Sequence, residues 1–193
     1  KNKNGVFDQS EKPLAGIKVS DGLNVVETAA DGSFTLPGHE RERFIFITTP
    51  SGYKTFNRHY HKIEKKQSGY DFGLIPYSGR IRKNGSHRYI HIADTEIFNT
   101  ENHADWVNNV RDYARNEQAA FIIHTGDICY EKGLKAHIKL MNTENMDCPV
   151  FYCIGNHDLV KGKYGEELFE SIYGPVYYSF DAGNVHYVVT PMP

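Results

Sequence analysis

Val150-Phe151-Tyr152-Cys153-Ile154-Gly155-Asn156-His157-Asp158 is the stretch on which the reading of this chain turns. Apolar residues run into it (Val150, Phe151, Tyr152, Ile154), Gly155 ends the run, and three residues able to bind a metal or move a proton follow. A buried strand of a parallel sheet has this continuous apolar character, and open α/β sheets place ligands at the carboxyl ends of their strands. Two other expected strands end in the same way. Residues 88–93 (Arg-Tyr-Ile-His-Ile-Ala) stop at Asp94-Thr95-Glu96, and the apolar run 119–124 stops at Gly126-Asp127, followed by Ile128, Cys129 and Tyr130.

Helical periodicity fills the gaps. Trp106, Val110, Tyr113 and Ala114 fall at helical spacing after a candidate cap at Asn99 or Thr100; Leu134, Ile138 and Met141 repeat after Gly133; Leu168, Phe169 and Ile172 mark a third helix. Strand and helix alternating at roughly 30 residues predict βαβ units, hence a right-handed, mainly parallel sheet. Residues 177–180 and 185–189, joined by Asp181-Ala182-Gly183-Asn184, read as a hairpin.

If the three parallel strands are neighbours, Asp94, Asp127 and Asn156 converge on one crevice. Two carboxylates and an amide oxygen make a hard, partly anionic pocket suited to divalent or trivalent metals. Asp127, after the second of the three strands, is the candidate to bridge two cations; a pair about 3.5–4 Å apart can clamp a phosphate and activate a water. Taken singly, each motif has a commonplace reading: an Asp at a strand end is often a helix cap, and Gly-Asn-His-Asp makes a turn. Three in order, each ending an apolar strand, argue against coincidence. His91 and His124, on the strands themselves, read as packing residues.

The first 75 residues follow another pattern. Val6, Phe7, Ile17, Val19, Val25, Val26, Phe34 and Leu36 fall in short runs between turn signals (Glu11-Lys12-Pro13, Asp21-Gly22, Asp31-Gly32, Pro37-Gly38), and Phe44-Ile45-Phe46-Ile47 is a further run. Tyr70, Phe72 and Leu74 alternate. Short strands at this spacing predict an all-β sandwich. In Arg58-His59-Tyr60-His61 the two histidines would share one face of a strand, yet no third ligand is near in sequence, and packing is the favoured reading. The polar, turn-rich stretch 76–86 sets the boundary between a β domain (1–78) and an α/β domain (79–193).

The bulk composition excludes several classes. The 193 residues are 39% hydrophobic and 24% charged with a net charge of −2, so nothing suggests nucleic acid or an anionic membrane held by bulk charge. No apolar run approaches the roughly 18 residues of a membrane span. Cys148 and Cys153 bracket one strand and lie too far apart to bridge, Cys129 and Cys153 lie near the ends of neighbouring strands and can meet, and free thiols are the expectation. Gly-x-Ser-x-Gly elbows and Gly-Lys-Ser/Thr phosphate loops are absent, which leaves serine nucleophiles and P-loop chemistry unsupported.

The ordered set Asp94-Thr95-Glu96, Gly126-Asp127-Ile128-Cys129-Tyr130 and Gly155-Asn156-His157-Asp158 resembles the calcineurin-like metallophosphoesterases over residues 87–193. Gly5-Val6, residues 13–22 and residues 28–36 resemble a transthyretin-like, carboxypeptidase-regulatory β-sandwich, a module that precedes some bacterial members and points to a secreted or periplasmic setting. The resemblance implies a four-layer α/β/β/α sandwich and a dinuclear centre of manganese, iron or zinc ions. It further implies hydrolysis of a phosphomonoester or phosphodiester by a metal-bound hydroxide. Carried over residue by residue, Asp94 binds the first metal, Asp127 bridges both and Asn156 binds the second. His157 contacts the phosphoryl group, and Asp158 orients His157 by a hydrogen bond.

Three departures qualify the resemblance. Glu96 stands where the family has the histidine of Asp-x-His, and Tyr130 stands three places after Asp127, a spacing similar to that of purple acid phosphatases. Glu96 and Tyr130 are therefore rival candidates for one coordination position. The lone downstream histidine and the Gly-His-x-His motif have no counterpart after Asp158, where His186 stands alone within an expected strand and reads as structural. From this the chain reads as stopping before its last metal-binding histidines. Two other functions stay open: a non-catalytic binding module beside a degenerate esterase domain, and a pyrophosphate hydrolase using the same site.

Overall fold

The computed structural model describes residues 7–8, 10–65, 67, 69–160 and 162–191. The chain divides into two compact units, residues 1–78 with 177–188 and residues 79–176 with 189–193. Among the described residues no helix is long and apolar enough to cross a membrane.

The first unit is built from short antiparallel strands. One sheet has the order β2-β1-β3-β5, formed by β1 (Lys18–Ser20), β2 (Val25–Glu27), β3 (Phe44–Ile47) and β5 (Tyr60–Lys62). A second pairs β4 (Tyr53–Thr55) with β6 (Leu74–Pro76). Its core gathers Val19, Ile47, Phe44 and Tyr60. The hairpin β10 (Tyr178–Ala182) and β11 (Val185–Val189) forms as the Gly183-Asn184 turn signal implied. It joins this unit by a bridge from Phe180 to Thr49 and by Asp181 N–H donating to the Thr49 carbonyl. A steric reading of sequence cannot see such a return. Phe180 brings a buried ring back to the first sheet, and that area outweighs proximity along the chain.

Arg58-His59-Tyr60-His61 serves packing. His59 is half-buried with its Nε2 enclosed, its ring lies 4.6 Å from that of Tyr178, and burial pushes its pKa down to about 4. His61 bonds the Asp71 carbonyl and packs on Phe72.

The second unit carries the parallel sheet, in the order β7-β8-β9: β7 (Tyr89–Ile92), β8 (Phe121–His124) and β9 (Val150–Tyr152). Both pairs are parallel, with Ile90 beside Ile122 and Ile122 beside Val150. β8 is the central strand and is almost wholly buried, as its unbroken apolar run demands. Helices α1 (Ala104–Asn116), α2 (Glu131–Leu140) and α3 (Glu167–Tyr173) follow the three strands.

Two local expectations shift. In α1 the buried positions are Val107 and Ala114, while Trp106 and Tyr113 are exposed, so the large aromatics do not supply its core face. The Asn99 side chain does not cap that helix: it accepts from the Glu101 and Asn102 amides in a turn ahead of it. Gly133 lies inside α2 rather than before it, and only glycine fits there, since a Cβ would stand 2.1 Å from Cys129 Sγ and 2.6 Å from the Ile97 carbonyl. Cys129, Cys148 and Cys153 form no disulfide among the described residues.

Candidate active site at the ends of three strands

The loops that leave β7, β8 and β9 are stitched together by backbone. Asp94 N–H donates to the Gly126 carbonyl at 3.2 Å, Thr125 N–H to that of Ile92, and Cys153 N–H to that of His124. Two glycines permit the closest approach: a Cβ on Gly126 would lie 2.6 Å from the Gly155 nitrogen, and one on Gly155 would lie 2.2 Å from the Asp127 nitrogen. Only bare backbone fits between the second and third loops.

Within this frame the expected carboxylates adopt an unusual backbone. Asp94 (φ 53°), Glu96 (φ 43°) and Asp127 (φ 49°) all occupy the left-handed region. Non-glycine residues reach it at a cost of about 1–2 kcal/mol each. Strain of this sort persists where the surrounding structure enforces it, and it gathers at functional sites.

The side chains at the crevice have few protein partners. Asp94 and Asn156 are exposed, and among the described residues neither side chain makes a hydrogen bond. Asp127 is half-buried, and its Oδ1 accepts the His157 backbone N–H at 3.0 Å, which ties the second loop to the third. His157 Nδ1 lies 3.9 Å from Glu96 Oε1, and its ring stacks on Tyr130 with centroids 5.2 Å apart. Glu96, Tyr130 and His157 therefore stand together, on one side chain each from the three loops.

Asp158 acts otherwise than as expected. It is fully buried, and among the described residues its carboxylate makes no hydrogen bond to the His157 ring. Oδ1 accepts the Ile128 and Cys129 backbone N–H groups at 2.9 and 3.1 Å, and Oδ2 accepts that of Gly155 at 2.8 Å. The sequence places Asp158 next to His157, but residues 156–158 form a single 3₁₀ turn that carries successive side chains apart. Asp158 thus sets the loops, and His157 through them. Burial raises its pKa, the neighbouring charge of Asp127 adds to that, and the three N–H donors oppose it.

Thr95 escapes sequence reading. His124 is buried and neutral, its pKa pushed down to about 4 by burial first and by His91 second. Gly126 N–H donates to its Nδ1 at 3.3 Å, which leaves the proton on Nε2 for the Thr95 hydroxyl at 2.9 Å, and that hydroxyl donates on to the Ile128 carbonyl. The relay binds the first loop to the second. Its one sequence signal is a histidine inside an apolar strand two residues before a Gly-Asp, beside a threonine that follows an Asp. His186 is tied to Asp181 Oδ1 at 2.6 Å across the hairpin.

A family model described as calcineurin-like phosphoesterase matches residues 87–189, the span that holds all three loops. The chain belongs to the calcineurin-like phosphoesterases. A second family model, the N terminal of calcineurin-like phosphoesterase, matches residues 1–76. No curated protein matches the chain. A calcineurin-like phosphoesterase uses divalent metal ions, and the donors present suit them. Asp94, Asp127 and Asn156 offer hard oxygens, and two of the three side chains have no protein partner to give up.

Proposed function

We propose that the protein hydrolyses a phosphomonoester or phosphodiester in the crevice at the ends of β7, β8 and β9. What supports this reading is that the loops after β7, β8 and β9, which bear Asp94, Asp127, Asn156 and His157, are bonded to one another, the first two in strained backbone. Asp94, Asp127 and Asn156 would hold two divalent ions, with Asp127 shared because it leaves the central strand. Glu96 and Tyr130 remain rivals for one further position, and both stand beside His157. When bound, such ions neutralise phosphate charge and lower the pKa of a water.

The chain's own residues do the rest. His157, with Nδ1 turned to Glu96, has Nε2 left to donate to a phosphoryl or leaving-group oxygen. Tyr130 holds the ring from its face, and the Asp127 carboxylate holds the backbone beneath it. Asp158 and the Thr95–His124 relay fix the spacing of the loops that carry these groups. We read the antiparallel strands of the first unit as a small β-sandwich and the parallel strands of the second as part of a four-layer phosphoesterase domain.

The test is hydrolysis of para-nitrophenyl phosphate and of bis-para-nitrophenyl phosphate with added manganese. Turnover that falls at least about a thousandfold (roughly 4 kcal/mol of barrier) in Asp127→Asn and in His157→Ala supports the reading. Turnover unchanged in both overturns it.

A further inference from the structure

Away from the strand ends, three potential ligands meet in the first unit. Asp21 lies in the turn after β1, and His39 and Glu42 lie on the segment that enters β3. One donor atom from each lies within 4.8 Å of the other two. Sequence reading takes Asp21-Gly22 only as a turn signal and passes over His39 and Glu42.

Each member is held in place by something other than its neighbours' charge. Asp21 is 3% exposed, and its Oδ1 accepts the Leu23 and Asn24 backbone N–H groups at 2.9 and 2.7 Å, while Oδ2 accepts the Asn24 amide. Burial works to raise the Asp21 pKa, but these donors and the facing His39 outweigh it, so the carboxylate stays ionised. Glu42 and His39 clasp one another by backbone: Glu42 Oε2 accepts His39 N–H, and Glu42 N–H donates to the His39 carbonyl.

What remains unexplained is the centre of the group. His39 Nε2 is buried with no hydrogen-bond partner, 3.5 Å from Asp21 Oδ1. That is too long for a hydrogen bond. It is close to the ~3.3 Å that separates two ligands of one tetrahedral zinc with bonds of about 2.0 Å. Among the described residues, no lysine or arginine pairs with either carboxylate. The other ring nitrogen is already engaged, since His39 Nδ1 accepts the Arg41 N–H at 3.2 Å. Two carboxylates, one of them buried, thus face an imidazole whose Nε2 has no hydrogen-bond partner, and a cation satisfies all three.

We propose that Asp21, His39 and Glu42 form a divalent-metal site in the N-terminal unit, with one imidazole nitrogen, two carboxylate oxygens and a fourth position open to water. The imidazole selects a borderline ion such as zinc over magnesium or calcium. Ligation through Nε2 moves the ring proton to Nδ1, so the Arg41 N–H contact is exchanged for the metal bond. Because Asp21 is already fixed by three donors, the metal would join the β1 turn to the start of β3 and stabilise the unit.

The experiment is a zinc titration of the metal-stripped full chain by isothermal calorimetry, repeated with His39→Gln, Glu42→Gln and Asp127→Asn. One zinc equivalent should be lost, or weakened at least a hundredfold, in His39→Gln and in Glu42→Gln, and kept in Asp127→Asn. Glu42→Gln retains an oxygen for the His39 N–H, so it tests the site even where His39→Gln does not fold. Cobalt substitution adds a spectroscopic readout: the visible bands of a four-coordinate ion should vanish with Glu42→Gln and persist with Asp127→Asn. Equal zinc counts in the parent chain and Glu42→Gln overturn the proposal. The strand-end reading would be untouched by that result, since it stands or falls with turnover in Asp127→Asn.

Discussion

The turns of the N-terminal unit and the strand ends of the parallel sheet use the same left-handed backbone, but they assign it to different residues. In the first unit it falls mostly to glycine, at Gly16, Gly22, Gly32, Gly38 and Gly52, with Asn57 beside them. At the strand ends it falls to Asp94, Glu96 and Asp127 as well as to Gly126. Glycine adopts this conformation without steric cost, so a turn that needs only shape recruits it. Where a carboxylate stands instead, the side chain is kept against its conformational preference. Asp94 shows this most plainly, for it is exposed and makes no side-chain hydrogen bond among the described residues. Nothing in the fold asks for its carboxylate. The chemistry does.

The comparison can be broken in several places. The largest effect is expected at Asp158, where Asp158→Ala strands three backbone N–H groups in a buried setting. It should cost on the order of 4 kcal/mol in a urea titration and lower turnover with it. Asp158→Asn, which keeps one acceptor oxygen, should recover part of both. If turnover fell in Asp158→Ala with stability intact, Asp158 would act on chemistry directly and not through the loops.

Next is Gly155→Ala. Its Cβ would stand 2.2 Å from the Asp127 nitrogen, so the loops must part, at about 3 kcal/mol. Nuclear magnetic resonance shifts at Asp127 and His157 should move with the loss of stability. In the first unit, Gly22→Ala meets no atom within 4 Å and has only its φ of +96° to overcome. About 1 kcal/mol is expected there, with turnover unchanged.

A pH effect about as large as that of Gly155→Ala is expected in the first unit. His59 takes up a proton near 6.5 when unfolded and near 4 when folded, because burial disfavours its charged form. The unfolded chain therefore binds more protons between those values. The contribution is complete above about 6.5 and is lost as the pH falls toward 4, by roughly 3 kcal/mol. Urea midpoints across that range should flatten in His59→Phe; an unchanged slope would show that His59 is not the group responsible. His124 and His137, both buried and both lowered, give the second unit a slope of the same sign.

The legibility of the chain follows the same divide. The parallel strands were plain because burial on both faces leaves an unbroken apolar run, as in β8 and β9. The strand-end motifs were plain because their residue types are costly anywhere else. Less accessible were contacts that depend on backbone geometry. The 3₁₀ turn sends Asp158 to the amides of Ile128, Cys129 and Gly155 although His157 is its neighbour in sequence. Thr95 and His124, 29 positions apart, meet only because β7 and β8 are adjacent in register. Asp21, His39 and Glu42 were equally hidden, since each reads as ordinary turn or loop polarity until the fold brings them within 4.8 Å. The hairpin at 178–189 followed its turn signal, but which unit it joins was decided by Phe180 and Thr49, which no local pattern couples.

Asp94→Gly tests the central claim most directly, because it leaves the left-handed backbone at ease and removes only the carboxylate. Urea unfolding and manganese-dependent turnover of para-nitrophenyl phosphate should be measured on the same preparation. The account predicts stability within about 0.5 kcal/mol of the parent and turnover reduced at least about a hundredfold. Turnover equal to the parent's would contradict it.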